Sequence, residues 1–308
     1  MRLLERLREQ TLPPTDFEVV VSIDGSDDGT LEAVEGFAAP FAISAVRHAN
    51  QGRAATVNAG VARARGEILV ILDDDMEPTP ELLAGHLHEH EPGARVGAVG
   101  AAPFRLQEPM PPFSRYRGER FNDLISELAR RPESIDFLEA YTGNFSVRRA
   151  DFIGAGGFDA TFDGYGLEDY ELALRLTRTG VRLVLAADAI AYQHYDKGFA
   201  AAARDSESRG RSTVIFASLH PSDAAGLEGL PNPPRPSVAR RLFRYALPRV
   251  TGVVPVVPAL VLGLVGISER RRIRLLPFAY ELGLEYFYLL GMREAASDRR
   301  QSARGRRW

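Results

Sequence analysis

Three carboxylates in a row, Asp73-Asp74-Asp75, follow the aliphatic run Ile68–Leu72. Adjacent carboxylates repel one another, so such a turn is either fully solvated or relieved by a cation. Hard oxygen ligands suit Mg²⁺ or Mn²⁺, and Mg²⁺ usually takes one or two carboxylates together with substrate phosphates. A second acidic turn, Asp24-Gly25-Ser26-Asp27-Asp28, follows the apolar stretch Phe17–Ile23. A third constellation is Gly164-Tyr165-Gly166-Leu167-Glu168-Asp169. Its glycines let backbone approach a ligand. Its acid pair opens a helix, where it either complements the helix dipole or presents a general base. His194 ends a short apolar run; a lone histidine is more often structural, but beside carboxylates its neutral imidazole could complete a metal shell.

The elements that must position these groups alternate. Strands are expected at Phe17–Ile23, Phe41–Val46, Ile68–Leu72, 96–100, 145–147, Val181–Ala186 and Ile190–His194. Helices are expected at 3–7, 31–38, Ala54–Ala64, Pro80–His90, 119–130, Glu168–Thr179 and 199–218, with 103–140 otherwise irregular. Alternation of strand and helix implies a mixed, mostly parallel α/β sheet flanked by helices. Ligands of such sheets bind outside the carboxyl ends of the strands, and the turns at 24–28 and 73–75 both fall at such ends.

The chain has 308 residues, 45% of them apolar and 26% charged, which excludes a wholly disordered chain. It has no cysteine, which removes disulfides, thiolate nucleophiles and zinc–cysteine sites and favours a cytoplasmic protein. Lys197 is the only lysine, and no phosphate-binding GxxxxGK[ST] loop surrounds it. Residues 1–10 are charged throughout and do not read as a secretory leader. The net charge of −3 is unevenly spread: 235–308 holds 15 arginines against 5 acids, +10, leaving −13 for 1–234. An acidic body argues against nucleic acid as a partner, and a basic tail suits an anionic membrane surface.

Composition also divides the chain. Residues 1–230 form the α/β domain, 231–236 (PNPPRP) a proline-rich linker, and 237–308 a basic helical tail with two apolar segments. Val250–Ile267 lacks charge but contains two prolines and three glycines, and Leu275–Met292 carries Glu281 and Glu285 on one face. Neither makes a good spanning helix. The tail is therefore expected to lie on the inner face of the cell membrane, to pack on the domain, or to form an oligomer contact.

Three strings carry a resemblance: EVVVSIDGSDDGT, NQGRAATVNAGVARARGEILVILDDDMEP and TGNFSVRRADFIGAGGFDATFDGYGLEDYELALRLTRTG. In order and spacing, over roughly 17–195, they resemble the family-two inverting glycosyltransferases of the GT-A fold. The resemblance implies transfer of a sugar from a nucleotide-sugar donor, UDP being the commoner nucleotide, to a hydroxyl of a glycan, lipid or other acceptor. Asp24 matches the nucleobase-contacting aspartate, within a donor surface of Gly25, Ser26, Asn50, Gly52, Arg53, Asn58, Asp73 and Asp74. Asp73 and Asp75 match the aspartates of the DxD motif, with Asp75 on the Mg²⁺ or Mn²⁺. His194 falls where relatives place a diphosphate or metal contact. Asp169, beside Glu168, matches the base that deprotonates the acceptor. Gly143, Asn144, Gly156, Gly157 and Tyr165 fall on the acceptor side.

The chain departs from the family pattern in places. Ile23 stands where a first aspartate is common, and Val57 where an arginine often precedes the asparagine matching Asn58, so that Arg53 is the candidate substitute. The family's first strand, which would lie between 17–23 and 68–72, has no counterpart. The expectation is an amino-terminally truncated sequence whose sheet lacks that strand. Two rival readings are a nucleotidyltransferase, which would favour an early glycine-rich loop with a basic residue, and a non-catalytic nucleotide-sugar-binding or membrane-associated scaffold.

Overall fold

A computed structural model describes residues 1–107, 109–194, 197–224, 257–273, 275 and 277–305. The chain forms two compact units. One comprises Met1–Leu106, Gly118–Asp163 and Glu168–Tyr195; the other comprises Gln107–Arg117, Gly164–Leu167 and Asp196–Trp308.

The first unit is a mixed α/β fold. Its four-stranded sheet runs β3 (Ile68–Leu72), β6 (Asn144–Arg148), β5 (Val96–Gly100), β7 (Arg182–Ala186). Strand β6 is antiparallel to both neighbours and β5 is parallel to β7, so three of the four strands point the same way. Aliphatic side chains of these strands, with Phe145, Phe152, Leu172 and Leu176, make the main core. Gly97 allows the tight layer: a β-carbon there would lie 2.9 Å from the Phe145 ring and 3.0 Å from Leu183.

Strand β1 (Glu18–Asp24) pairs in parallel with β2 (Ala42–His48), from Glu18 opposite Ala42 to Asp24 opposite His48. The short helix α1 (Arg2–Leu7) covers them, burying Leu4 and Leu7 with Val34 and Phe41. That is the sheet surface the leucine stripe requires. Among the described residues no strand joins β1 to β3, so each keeps one edge without a strand partner. Among the described residues β1 and β3 do not pair directly with one another. A small antiparallel pair, β4 (Met76–Pro78) with β8 (Ala191–Gln193), completes the strands.

Several elements differ from expectation: β4 and a helix over Arg149–Gly154 are additional to those expected, and some helices have other bounds. Helix α5 runs over Pro112–Leu128, not from 119, because Pro112 occupies the first helical position, where a missing N–H costs nothing. The segment Pro80–His90 is helical only over Leu82–His88, here α4.

The second unit is helical: α8 (Phe199–Leu219), α9 (Val257–Arg270) and α10 (Pro277–Gly305). Helices α8 and α10 approach through glycine. A β-carbon on Gly210 would lie 2.0 Å from the Tyr288 carbonyl oxygen, and one on Gly291 would lie 1.9 Å from that of Glu207. Ser206 donates to the Leu284 carbonyl at 3.0 Å, and Thr213 and Tyr288 share a 3.0 Å hydrogen bond. Leu275–Met292 is therefore a packed segment: Tyr280, Leu284, Glu285 and Tyr286–Tyr288 are buried. Helix α8, inside the expected 1–230 domain, clusters by contacts with the tail helices. The 231–236 linker lies outside the described residues. No described helix is long and apolar enough to cross a membrane.

Two buried histidines, His86 in α4 and His90 just after it, fasten this segment to β6. His86 Nε2 lies 2.8 Å from Asn144 Oδ1, and His90 Nε2 lies 2.8 Å from Ser146 Oγ. The Asn144 amide nitrogen donates to the carbonyls of Ala101 and Ala189, so its oxygen must accept and His86 carries its proton on Nε2. Burial lowers both histidines to about 4. A free histidine titrates near ~6.5, so between that pH and about 4 the unfolded chain binds more protons. The contribution is full above pH ~6.5 and is lost as pH falls toward 4. The melting temperature should fall across this window, and the His86→Gln/His90→Gln double variant should flatten that part of the profile. An unchanged profile would show that the histidines do not carry it.

Candidate active site

The site is built at the carboxyl ends of β1 and β3, where chain ends leave backbone groups to be satisfied by side chains. Asp24, the last residue of β1, accepts from Gln51 N at 2.8 Å and from Gly52 N at 3.0 Å. The turn it holds needs glycines at two points. Gly25 has φ 70° and would place a β-carbon 2.6 Å from Asn50 N; Gly52 has φ 84° and would place one 2.9 Å from the Asp163 carbonyl oxygen. Ser26 caps the same loop by accepting from Asp28 N at 3.4 Å. The turn delivers Arg53 as the first residue of α3 (Arg53–Arg63).

Arg53 is the hub. Its Nη2 and Nε donate to Asp73 Oδ1 at 3.0 and 3.3 Å. Its Nη1 donates to Asp169 Oδ1 at 3.1 Å and to Thr142 Oγ1 at 2.9 Å, and lies 4.0 Å from Glu168 Oε1. Thr142 in turn donates to Asp169 Oδ1. The planar fork of a guanidinium suits this bridging; an ammonium could not span it. Burial alone would make Arg53 less basic, but the carboxylates of Asp169, Asp73 and Glu168 outweigh it and hold the cation charged. The guanidinium also lies over the Phe158 ring, 5.5 Å from its centre.

Asp73 is fixed from the other side by Gly143. Asp73 N donates to the Gly143 carbonyl at 2.9 Å, and a β-carbon on Gly143 would lie 2.6 Å from Asp73 Oδ2. Asp74 and Asp75 follow, both exposed. Glu168 and Asp169 open α7 (Glu168–Arg178), where a helix dipole favours negative charge. Leu167 precedes them at φ 73°, a buried leucine in left-handed backbone. Such a conformation costs about 1–3 kcal/mol.

The structure thus brings Arg53, Asp73, Glu168 and Asp169 together, with Gly143 at their edge. Other expected residues stand apart from that cluster. Asn144 does not wall an acceptor pocket: it is fully buried, and its amide is bonded to His86, Ala101 and Ala189. The Asn58 amide clasps the Phe158 backbone in both directions, at 2.8 and 2.9 Å. Gly156 and Gly157, at φ 90° and 68°, form the turn after α6 (Arg149–Gly154), and Gly157 leaves room for Asn58 Oδ1. Tyr165 belongs to the second unit; it is exposed, with Lys197 Nζ 5.3 Å from its ring. His194 Nε2 is bonded to Glu77 Oε2 at 2.8 Å, which leaves its Nδ1 for any ligand. Among the described residues no three histidine, aspartate or glutamate side chains gather closely enough to hold a metal by themselves.

Sequence reasoning missed Thr142 and Glu77. Glu77 is a buried carboxylate that collects Arg6 at 2.7 Å, Arg105 at 3.4 Å and His194. The His194 hydrogen bond, outweighing the cost of burial, and the two arginines hold it below the usual carboxylate range. A charged residue inside a strand too short to show a period gave no signal.

Comparison with known proteins places the chain in a family. The profile of glycosyl transferase family 2 matches residues 1–154, half of the chain. The chain belongs to this family. A second profile, the N-terminal domain of galactosyltransferase, matches residues 132–197, which include Thr142, Glu168 and Asp169. Validoxylamine A glucosyltransferase of Streptomyces hygroscopicus subsp. limoneus is 32% identical over 221 residues, 61% of this chain and 47% of that protein. The "uncharacterized glycosyltransferase YfnE" of Bacillus subtilis (strain 168) is 28% identical over 222 residues, 57% of this chain and 56% of that protein. The chain spans about half the length of these relatives. Among solved structures, the mannosyltransferase PcManGT from Pyrobaculum calidifontis, in complex with GDP-Man and Mn²⁺, has a TM-score of 0.59 at 20% identity. The alignment covers 96% of this chain and 82% of that one. S. aureus TarS 1-349 has a TM-score of 0.53 at 17% identity, covering 96% and 87%. These likenesses support the GT-A-like fold of this glycosyltransferase family.

The Gly143 contact gives a sharp test. Gly143→Ala would push its methyl group against Asp73 Oδ2 and displace that carboxylate. Transferase turnover should fall by roughly 10²-fold, the scale of a misplaced catalytic group, with the melting temperature nearly unchanged. Full activity in the variant would remove Asp73 from the site.

Proposed function

We propose that the chain transfers a hexose from a nucleotide-sugar donor to an acceptor hydroxyl with inversion at the anomeric carbon. The observation that carries this reading is the Arg53 bridge, which places the Asp73 and Asp169 carboxylates on one guanidinium at 3.0 and 3.1 Å. A metal-and-donor carboxylate and a base carboxylate must face one reaction centre, and the shared guanidinium supports giving those roles to Asp73 and Asp169. The Streptomyces glucosyltransferase and the Pyrobaculum mannosyltransferase are named for hexose transfer, which supports a hexose donor.

The chemistry assigned to each residue follows from its partners. Asp169 takes the proton of the acceptor hydroxyl; that oxygen forms a bond to the anomeric carbon as the bond from that carbon to the donor phosphate oxygen breaks. The electron pair leaves with the nucleoside diphosphate, so configuration inverts and no covalent enzyme intermediate forms. Thr142 orients Asp169 through its hydroxyl. Arg53 is suited to two anions in turn. Without donor it bridges Asp73 and Asp169; with donor, a guanidinium is a good bidentate partner for diphosphate oxygens, and its withdrawal would leave Asp169 open to the acceptor hydroxyl.

The exposed Asp75 with Asp73 would supply the hard oxygen donors that Mg²⁺ or Mn²⁺ prefers, with substrate phosphates completing the shell. Such an ion would neutralise charge on the leaving diphosphate. The mannosyltransferase solved with Mn²⁺ supports the same reading.

A panel of nucleotide sugars, scored by released nucleotide, identifies the donor. With that donor, Asp169→Asn should cut turnover by about 10²-fold or more while nucleotide binding persists. Excess chelator should stop turnover, and added Mg²⁺ or Mn²⁺ should restore it. Full activity of Asp169→Asn would reduce Asp169 to a helix-capping role, and activity in chelator would remove the metal. Nucleotide binding without turnover of any donor would favour the scaffold reading.

A further inference from the structure

Helix α9 has two unlike faces. Val265 and Ser268 are buried, and Val261 reaches Gly283 of α10, where a β-carbon would lie 3.3 Å from its methyl. On the outside, Leu260, Leu264 and Ile267 are 59%, 68% and 46% exposed. Their spacing of four and three residues puts them on one stripe. Large aliphatic side chains this open are ordinary when scattered, but a line of them on one helix face marks an interaction surface.

The end of the helix adds charge to that stripe. The chain leaves α9 through a Schellman turn: Ile273 N donates to the Ser268 carbonyl at 2.8 Å, and Arg272 N to the Glu269 carbonyl at 3.1 Å. The turn needs left-handed backbone at its penultimate residue, almost always glycine. Here that residue is Arg272, at φ 51°. Ile273, the residue that follows, stays 52% exposed. Arg270, Arg271 and Arg272 are all exposed. The neighbouring acid, Glu269, is turned inward, accepting from Phe199 N at 3.2 Å. An arginine at a glycine position and an isoleucine facing water both work against folding economy. They make sense together as parts of a surface that meets something apolar and anionic.

We propose that this face of α9 is a docking surface for an anionic phospholipid bilayer. The aliphatic stripe with Ile273 enters the headgroup–acyl boundary, and the arginines meet lipid phosphates. The helix lies along the interface; it is neither long nor apolar enough to cross. One short apolar stripe binds a membrane weakly, and a basic cluster supplies the second signal that makes the attachment hold. The charge of the tail suits this occupant, with 15 arginines against 5 acids, +10, in 235–308. A second copy of the chain is the weaker candidate, because a single stripe presents on the order of a few hundred Å², well short of the roughly 1,200 Å² of a stable protein interface.

The experiment uses the full chain and co-sedimentation with vesicles of phosphatidylcholine mixed with phosphatidylglycerol, against phosphatidylcholine alone. Binding should require the anionic lipid and weaken with salt. Leu264→Glu, at a position already open to water, should abolish it with no loss of melting temperature. Arg272→Gly should weaken it about fivefold, the contribution of one basic residue near the surface, while raising the melting temperature because glycine suits the left-handed turn. This opposite movement separates docking from a folding defect. Equal binding to neutral vesicles, or unchanged binding by Leu264→Glu, would overturn the proposal. So would a dimer in sedimentation equilibrium that Leu264→Glu dissolves while vesicles leave the wild type in the supernatant. None of these readouts depends on transferase activity.

Discussion

One cation among carboxylates organises the first unit. Asp73, Glu168 and Asp169 come from different parts of the chain and meet around the guanidinium of Arg53. Without it, three negative charges would share a partly buried space, and each would favour protonation or separation. The surrounding details read as means of delivering Arg53. Asp24 holds the turn before α3, glycines at 25 and 52 let that turn close, and Asn58 fixes the Phe158 ring against which the guanidinium rests. Residues far from any substrate are thereby committed to the geometry of the acid cluster.

The same logic explains where strain is tolerated. A buried leucine in left-handed backbone directly precedes Glu168 and Asp169, and its burial repays a conformation that glycine would adopt freely. Asp73 is held against Gly143 with no room for a β-carbon. Both features restrict where the acids can point, and restriction of this kind is what an ordered transfer requires. Glu77 does a related task beyond the cluster, gathering Arg6, Arg105 and His194 so that the histidine presents one defined nitrogen.

Much of this was legible in the sequence, for identifiable reasons. Buried strands such as Ile68–Leu72 announce themselves by continuous aliphatic character, and the acids that follow them mark strand ends. Helix α7 showed its amphipathic stripe and its acidic first turn. Arg53 was visible only as a substitute for an arginine absent at Val57, and its central position became clear once the turn at 50–52 was seen closing on Asp24. Thr142, Asn144 and Asn58 carried no distinguishing pattern, because the partner that decides whether a polar residue meets substrate or backbone is distant in the chain. For Asn144 and Asn58 that partner is buried protein. The sequence pattern places a helix only from 119, within an otherwise irregular stretch, yet Pro112 opens α5. The grouping of α8 with α9 and α10 depends on glycine contacts at 210 and 291 that no periodicity reveals.

The claim that Arg53 holds the acids together is tested most directly by a double-mutant cycle on stability, using Arg53→Met, Asp169→Asn and the pair. If the guanidinium offsets carboxylate repulsion, removing it should be markedly less costly once Asp169 is neutral. The unfolding free energies should then show a coupling of about 1 kcal/mol or more, within the range for side chains in direct contact. Additive effects of the two substitutions would contradict the account.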